Sequence, residues 1–310
     1  MTECTAGSPG ETGTSPGTPE GFEVLRRELA ARERRADSTD LDFDILIVGS
    51  GYGGAIAAHE FAGCRAGTRR LSVCILERGN AYSPGSFPNS MSDLAGHVRL
   101  GLPGRQEPAG RREGLFDFRL GMDASTLVAN GLGGGSLINA GVMLPPSADV
   151  LADDRAWPAA ILSDSTRMTE WLERARRLMV PGGTAAVPAA SESPAAATLR
   201  WLSEGERQGT CSLPPLSVAP AESSTIGGMP LHSCIGCGDC FTGCNHGAKH
   251  SLDTSLLAAA CRRDARIYTG ATVLRLERRA DAGWIAEAVH TDDKLRARQG
   301  APLRISARRV

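Results

Sequence analysis

Residues 42 to 62 read Asp42-Phe43-Asp44-Ile45-Leu46-Ile47-Val48-Gly49-Ser50-Gly51-Tyr52-Gly53-Gly54-Ala55-Ile56-Ala57-Ala58-His59-Glu60-Phe61-Ala62, and this stretch decides the fold. Ile45 to Val48 is an aliphatic run, too short for a helix and apolar on both faces, as a strand in the middle of a parallel sheet is. Gly49, Gly51 and Gly54 then fit G-x-G-x-x-G. One glycine serves the tight turn, one lets backbone approach a pyrophosphate, and one lets the following helix pack on the strand. The helix is predicted to begin between Tyr52 and Gly54, where free N–H groups and the positive dipole end make an anion site without a basic side chain.

Working outward, Leu71 to Leu76 reads as the second strand, with Glu77 at its end. Glu77 follows Gly49 by 28 residues, more than the usual spacing of about 20. The excess fits a loop over 63–70. A carboxylate there accepts hydrogen bonds from a ribose diol, each worth about 1.5–3 kcal/mol. Strand, turn, helix, strand and acid in this order predict a dinucleotide-binding α/β fold, with NAD and FAD both open.

Composition bounds the rest. A chain of 310 residues suggests two domains, and a 41% hydrophobic content supports a sizeable core. The net charge of −1 argues against a broad nucleic-acid surface. No segment approaches the length of a membrane span, and the first forty residues lack the apolar core of a secretory signal, so the expected location is cytoplasmic. Nine cysteines, four clustered and five scattered, fit a reducing compartment with one special site.

Residues 1 to about 20 are rich in Gly, Ser, Thr, Pro and Glu and are expected to be disordered. Phe22 to Ala36 reads as a short charged helix in a solvated arm, so that 1–40 stands apart from 41–310. Segment 78–112 reads as a long loop, and 114–120 as an exposed alternating strand. A second glycine cluster, Asn130-Gly131-Leu132-Gly133-Gly134-Gly135-Ser136-Leu137-Ile138-Asn139, lies between the apolar runs 127–129 and 137–143. Glycines so placed let backbone pass close to a bulky object. Met168, Trp171, Leu172, Ala175, Leu178 and Met179 form the apolar stripe of an amphipathic helix over 165–180, expected to be core. Helices over 194–207 and 252–262 and an extended edge over 212–220 follow. Runs at 272–276, 284–290 and 303–310 read as an antiparallel meander after a short strand at 266–268.

Cys234, Cys237, Cys240 and Cys244 have the spacing C-x2-C-x2-C-x3-C, with Asn245 where ferredoxins carry proline. Such a loop turns its thiolates toward one cluster. A closed zinc site and no metal at all are the alternatives. His232, His246 and His250 flank the loop and read as solvated or supporting groups rather than ligands.

Four motifs in order, Gly49 to Gly54, Leu76-Glu77-Arg78-Gly79, Asn130 to Asn139 and Gly243-Cys244-Asn245-His246-Gly247-Ala248-Lys249-His250-Ser251-Leu252-Asp253, resemble the glucose–methanol–choline (GMC) oxidoreductases over residues 42 to 310, and especially their cholesterol-oxidase-like branch. The resemblance implies an FAD-binding Rossmann-like domain of the glutathione-reductase type, with an antiparallel meander and part of a substrate domain over 145–230. It implies FAD rather than NAD. Gly49, Gly51 and Gly54 would hold the pyrophosphate, Glu77 the adenosine ribose, Val273 the adenine, and Gly134, Gly135, Ser136 and Asn139 the flavin side, with Ser50, Gly53, Arg78 and Asn130 also among the cofactor-binding residues. It further implies oxidation of a small-molecule alcohol, a sterol being one such substrate, by hydride transfer to flavin with a histidine as base. None of the six histidines matches that base, which lies in the C-terminal third of family members, so no catalytic residue is named. The chain is therefore expected to be an N-terminal portion, either a truncated frame or one half of a split enzyme whose second chain supplies the rest. An iron–sulfur or NAD-linked electron-transfer protein and an inactive remnant are the rival readings.

Overall fold

The structure is a computed structural model that describes residues 20–33, 41–105, 108–153, 155, 157–159, 164–179, 194–203, 214–280, 282–291 and 302–310. The low-complexity stretch before Glu20 and the segments 204–207 and 212–213 lie outside the described residues. Strands β2 (Phe43–Val48) and β3 (Val73–Leu76) run parallel, with Ile45 to Val48 opposite Val73 to Leu76. Strand β8 (Arg266–Thr269) adds parallel to β3, and the two-residue β1 (Glu20–Gly21) adds parallel to β8.

On the other side of β2 lies the last strand, β11 (Leu303–Arg309), also parallel. It continues outward through antiparallel neighbours β10 (Trp284–His290) and β9 (Ala271–Arg278). The order is thus β1-β8-β3-β2-β11-β10-β9. The expected antiparallel meander forms, and its third strand completes the hydrogen bonding of β2. A second sheet, β5-β4-β6-β7, is built from β4 (Val98–Gly101), β5 (Ala109–Gly110), β6 (Phe116–Arg119) and β7 (Thr126–Ala129). Segment 78–112 is therefore only partly loop. Strand β6 buries Phe116 and Asp117 in succession instead of alternating, because Asp117 receives arginines from several elements.

Side-chain alternation sorts the main sheet into two cores. Ile47, Val73, Ile75 and Ile267 meet helix α2 (Tyr52–Phe61) and Leu252, Leu256, Leu257 and Ala260. Phe43, Leu46, Cys74, Leu76 and Tyr268 meet helix α1 (Phe22–Glu33) on the opposite face. Burial on both faces is why Val73 to Leu76, buried at every position, is apolar throughout. The solvated arm is corrected here: Phe22, Leu25 and Leu29 are 2%, 0% and 3% exposed, and each contributes about 1.5–3 kcal/mol by leaving water. Charges on the outer side of α1 hid that three-residue stripe.

Helix α3 (Ser165–Met179) forms as expected, and helix α4 (Pro194–Ser203) follows it. The stripe of α3 is core only at its last turn. Met179 is buried and Leu178 partly so, whereas Trp171 is 51% exposed. Segment 214–220 is extended, with bridges Val142–Leu216 and Val218–Lys249. Among the described residues no helix is long and apolar enough to cross a membrane.

The start of the β2–β3 pair is fastened by Asp44. Its carboxylate accepts a bidentate pair from Arg69 at 2.6 and 2.7 Å, and bonds from Ser72 N and Oγ at 2.8 and 2.9 Å. The Arg69 hydrogen bonds hold the carboxyl far below the usual carboxylate range, burial opposing and the Ser72 bonds adding to the effect. A depressed folded-state pKa stabilises above the unfolded value of about 3.9 and is lost as pH falls below it. Asp44→Asn is accordingly expected to lower stability by about 2 kcal/mol at neutral pH. In urea titrations the gap from the parent should close as pH drops below about 4, and a gap that persists unchanged in acid would contradict this account.

Candidate functional site

The carboxyl ends of β2 and β3 carry the first glycine turn and Glu77. Gly49 takes φ +88°, a left-handed conformation that favours glycine, and its N–H donates to Leu76 O at 2.8 Å. A Cβ on Gly54 would lie 2.0 Å from Gly49 O, so α2 can cross the turn only with glycine there. Gly51 and Gly53 differ. A Cβ on either meets nothing within 4 Å, and neither has a positive φ. Gly53 lies within α2, where glycine costs about 1 kcal/mol relative to alanine. The fold explains Gly49 and Gly54, and leaves Gly51 and Gly53 facing an open cleft.

The second glycine run closes on the first. Gly133 N donates to Ser50 Oγ at 3.0 Å, and a Cβ on Gly134 would stand 2.8 Å from Gly51 Cα. The run forms the short helix Gly134–Ser136, leaving Gly135 exposed beside the Tyr52 ring. Asn139 Nδ2 donates to Tyr52 Oη at 2.7 Å and so ties the end of the run to the first turn of α2. Gly51, Gly53 and Gly135 together are a cradle that a Cβ would fill. The free N–H groups at the start of α2 make this open side favourable for an anion.

Glu77 is 6% exposed and already used. Its Oε2 accepts from Ser50 N at 2.9 Å and Ser50 Oγ at 2.5 Å, and its Oε1 accepts from Gly79 N at 2.8 Å. A carboxylate oxygen has two acceptor sites, so Oε1 keeps one for a ligand hydroxyl. Val273 sits in β9 beside a bulge, and Ala271 N, two residues earlier, donates to Glu77 O at 2.9 Å. Val273 and Glu77 thus share one end of the site, although they belong to strands four places apart in the sheet.

Three of the expected residues support the cleft from behind. Arg78 Nε and Nη2 donate to Asn130 Oδ1 and Asp117 Oδ2, both at 2.7 Å. Asn130 Nδ2 donates to Arg112 O, and Ser136 Oγ joins Gly133 O to Leu252 N. Their side chains are consumed inside the protein.

Lys249, which sequence reasoning did not single out, is a buried cation packed under the second glycine run. It is 4% exposed and donates to Leu137 O, Asn139 O and Cys240 O at 3.0, 2.5 and 2.9 Å. Burial pulls its ammonium down to about 8, with Cys240, Cys244 and Asp253 pulling the other way. Its rarity was the available signal, since Lys occurs only at 249 and 294. Asp253, next to Gly133, is raised by burial to about 6, and its Oδ1 is buried without a partner.

The six histidines lie elsewhere. His59 pairs with Arg263, His97 with Tyr82, His232 with Glu222, and His290 packs on Phe22. His246 lines the cysteine cavity, and burial lowers His250 to about 4. Cys234, Cys237, Cys240 and Cys244 are free thiols around one cavity.

A family model described as GMC oxidoreductase matches residues 43–298. A cholesterol oxidase of Mycobacterium tuberculosis is 28% identical over 279 residues, covering 82% of this chain and 43% of the relative. A cholesterol oxidase of Acinetobacter baumannii is 27% identical over 241 residues, covering 73% and 40%. A solved fungal aryl-alcohol oxidase aligns over 87% of this chain and 45% of its own at 17% identity, with a TM-score of 0.42. The chain spans less than half the length of these relatives. With the first glycine turn, the acid and the second glycine run meeting at Ser50, and the family's model matched over residues 43–298, the chain belongs to the GMC oxidoreductase family.

Proposed function

We propose that this chain is the FAD-binding part of an oxidoreductase that acts on the CH–OH group of a small alcohol. The observation that carries the reading is the pair Gly51 and Gly53, glycines for which the folded chain itself has no use and which a pyrophosphate lying against the start of α2 would require. In this reading Gly49, Ser50, Gly51, Gly53 and Gly54 hold the pyrophosphate, Glu77 accepts from the ribose, and the backbone at Val273 meets adenine. Gly134, Gly135 and Asn139 flank the flavin. Arg78, Asn130 and Ser136 act as positioning residues, because their side chains are committed to protein partners.

Bound FAD would supply the hydride acceptor that amino-acid side chains lack. The chain's own residues bind it, orient it and keep backbone close to its ring. A sterol substrate is supported by two relatives named cholesterol oxidase. The base that takes the hydroxyl proton is proposed to come from outside these 310 residues, in the remainder of a longer protein or in a second chain, with 145–230 as part of the substrate wall. The four cysteines stand apart from this reading as a separate site.

Gly53→Ala separates ligand from fold. Alanine should stabilise the unliganded helix by up to about 1 kcal/mol, yet it should weaken FAD about tenfold or more. Thermal melts, with acid-released flavin read by absorbance, measure both. Unchanged flavin retention would remove the pyrophosphate assignment. Glu77→Gln puts an amide NH2 against donors at Ser50 or Gly79, so a loss of about 2 kcal/mol in stability is expected, with flavin retention falling in parallel. A protein as stable as the parent would show that the Ser50–Glu77 bonds are not structural.

A further inference from the structure

Tyr52 stands between Gly51 and Gly53 and opens α2. Its ring edge, Cε2, lies 4.0 Å from a Cβ on the exposed Gly135, so the ring walls the open side of the cleft. Among the described residues it joins none of the three buried apolar clusters, and it is 37% exposed. Folding alone does not call for an aromatic ring there. The first turn of a helix favours an acid instead, and α2 has none.

The hydroxyl of Tyr52 is held from one side. Asn139 Nδ2 donates to Tyr52 Oη at 2.7 Å. The amide is itself fixed: Asn139 Oδ1 accepts from Gly141 N at 3.2 Å, its N–H donates to Gly135 O at 2.9 Å, and its carbonyl accepts from Lys249 Nζ. Because Oδ1 is the acceptor in that set, Nδ2 is the donor, and Tyr52 Oη keeps its own proton to give. Among the described residues no acceptor meets that proton. Burial pushes the phenol above its ordinary value, so at neutral pH it remains a donor.

A bond that merely ties the two glycine runs together would be redundant. Ser50 Oγ already joins them through Gly133 N, and Gly134 packs on Gly51. An exposed hydrogen bond adds little to contacts already made inside the protein. A ligand gives the arrangement a use. Gly51 and Gly53 flank Tyr52 in sequence and Gly135 lies beside its ring, so the open backbone of both runs surrounds this one side chain. A ligand that pairs a flat ring system with acceptor atoms engages both features, the phenol ring by stacking and the O–H by donation.

We infer that Tyr52 contacts the flavin end of FAD, its ring lying against the cofactor and its hydroxyl, oriented by Asn139, donating a hydrogen bond to it. The inference rests on the flavin reading above and adds a side chain which that reading leaves unused. The full chain and its Tyr52→Phe and Tyr52→Leu variants are each stripped of flavin, melted, titrated with FAD, and read for the emission lifetime of the bound flavin. Phenylalanine keeps a ring without the hydroxyl, and leucine removes both. Expected for Tyr52→Phe is an unchanged melting temperature without flavin and an affinity for FAD about five- to tenfold lower, as the loss of one hydrogen bond gives. Tyr52→Leu should bind more weakly still. A phenol in contact with an isoalloxazine ring quenches its emission, whereas phenylalanine and leucine do not, so both variants should lengthen the lifetime severalfold. Affinity and lifetime equal to the parent's in both variants would overturn the inference and leave the flavin reading standing. So would a lower affinity matched by a lower melting temperature of the flavin-free protein at an unchanged lifetime, the signature of a bond that only ties the two runs. A parent chain that takes up no FAD would remove the flavin reading and this inference together.

Discussion

The hydrogen bonds between Ser50 and Glu77 are the constraint on which the rest depends. Two strand ends and two glycine runs meet there, and a single buried hydroxyl joins them: Ser50 Oγ donates to Glu77 Oε2 and accepts from Gly133 N. Each oxygen is buried, so an unmade bond would cost about 1–3 kcal/mol. That cost fixes the separation of the first turn from the second run. It follows that the cleft between Gly51 and Gly135 is pre-formed by the protein's own polar bonds.

A second set of bonds holds the outer wall. Asp117 lies under Arg78, Arg99 and Arg119 at 1% exposure, and Arg78 carries the restraint on to Asn130. Lys249 repeats the device from the other side with three carbonyls. Buried charges of this kind are tolerable only when every donor is used, and they then specify one geometry. The outcome is a rigid frame with small residues at its centre. Side chains are tied to protein partners, and the backbone of Gly51, Gly53 and Gly135 is left open.

Much of this was legible beforehand. The apolar run of Ile45 to Val48, the glycine spacing and the acid after Leu76 all appear at their expected places because they answer to local rules of strand burial and turn conformation. The solvated arm was wrong for a global reason: three apolar residues among charges are enough to seal a sheet face, and only the sheet's presence reveals it. The α3 stripe erred in the opposite sense, since amphipathic spacing promises a buried face and, among the described residues, it joins the core at Leu178 and Met179 while Trp171 stays exposed.

By itself the sequence determined the dinucleotide turn, the order of the motifs and the grouping of the four cysteines, since each is a matter of residue type at short range. Tertiary structure alone decided which glycines are structural and which stand open. It also decided that Arg78, Asn130 and Ser136 support the cleft from behind. The last strand's place beside β2 and the enclosure of one cavity by the thiols were likewise settled only by the fold. The physical reason is that a glycine's purpose and a polar side chain's partner depend on what lies across from them, and among the described residues those partners lie up to 264 residues away.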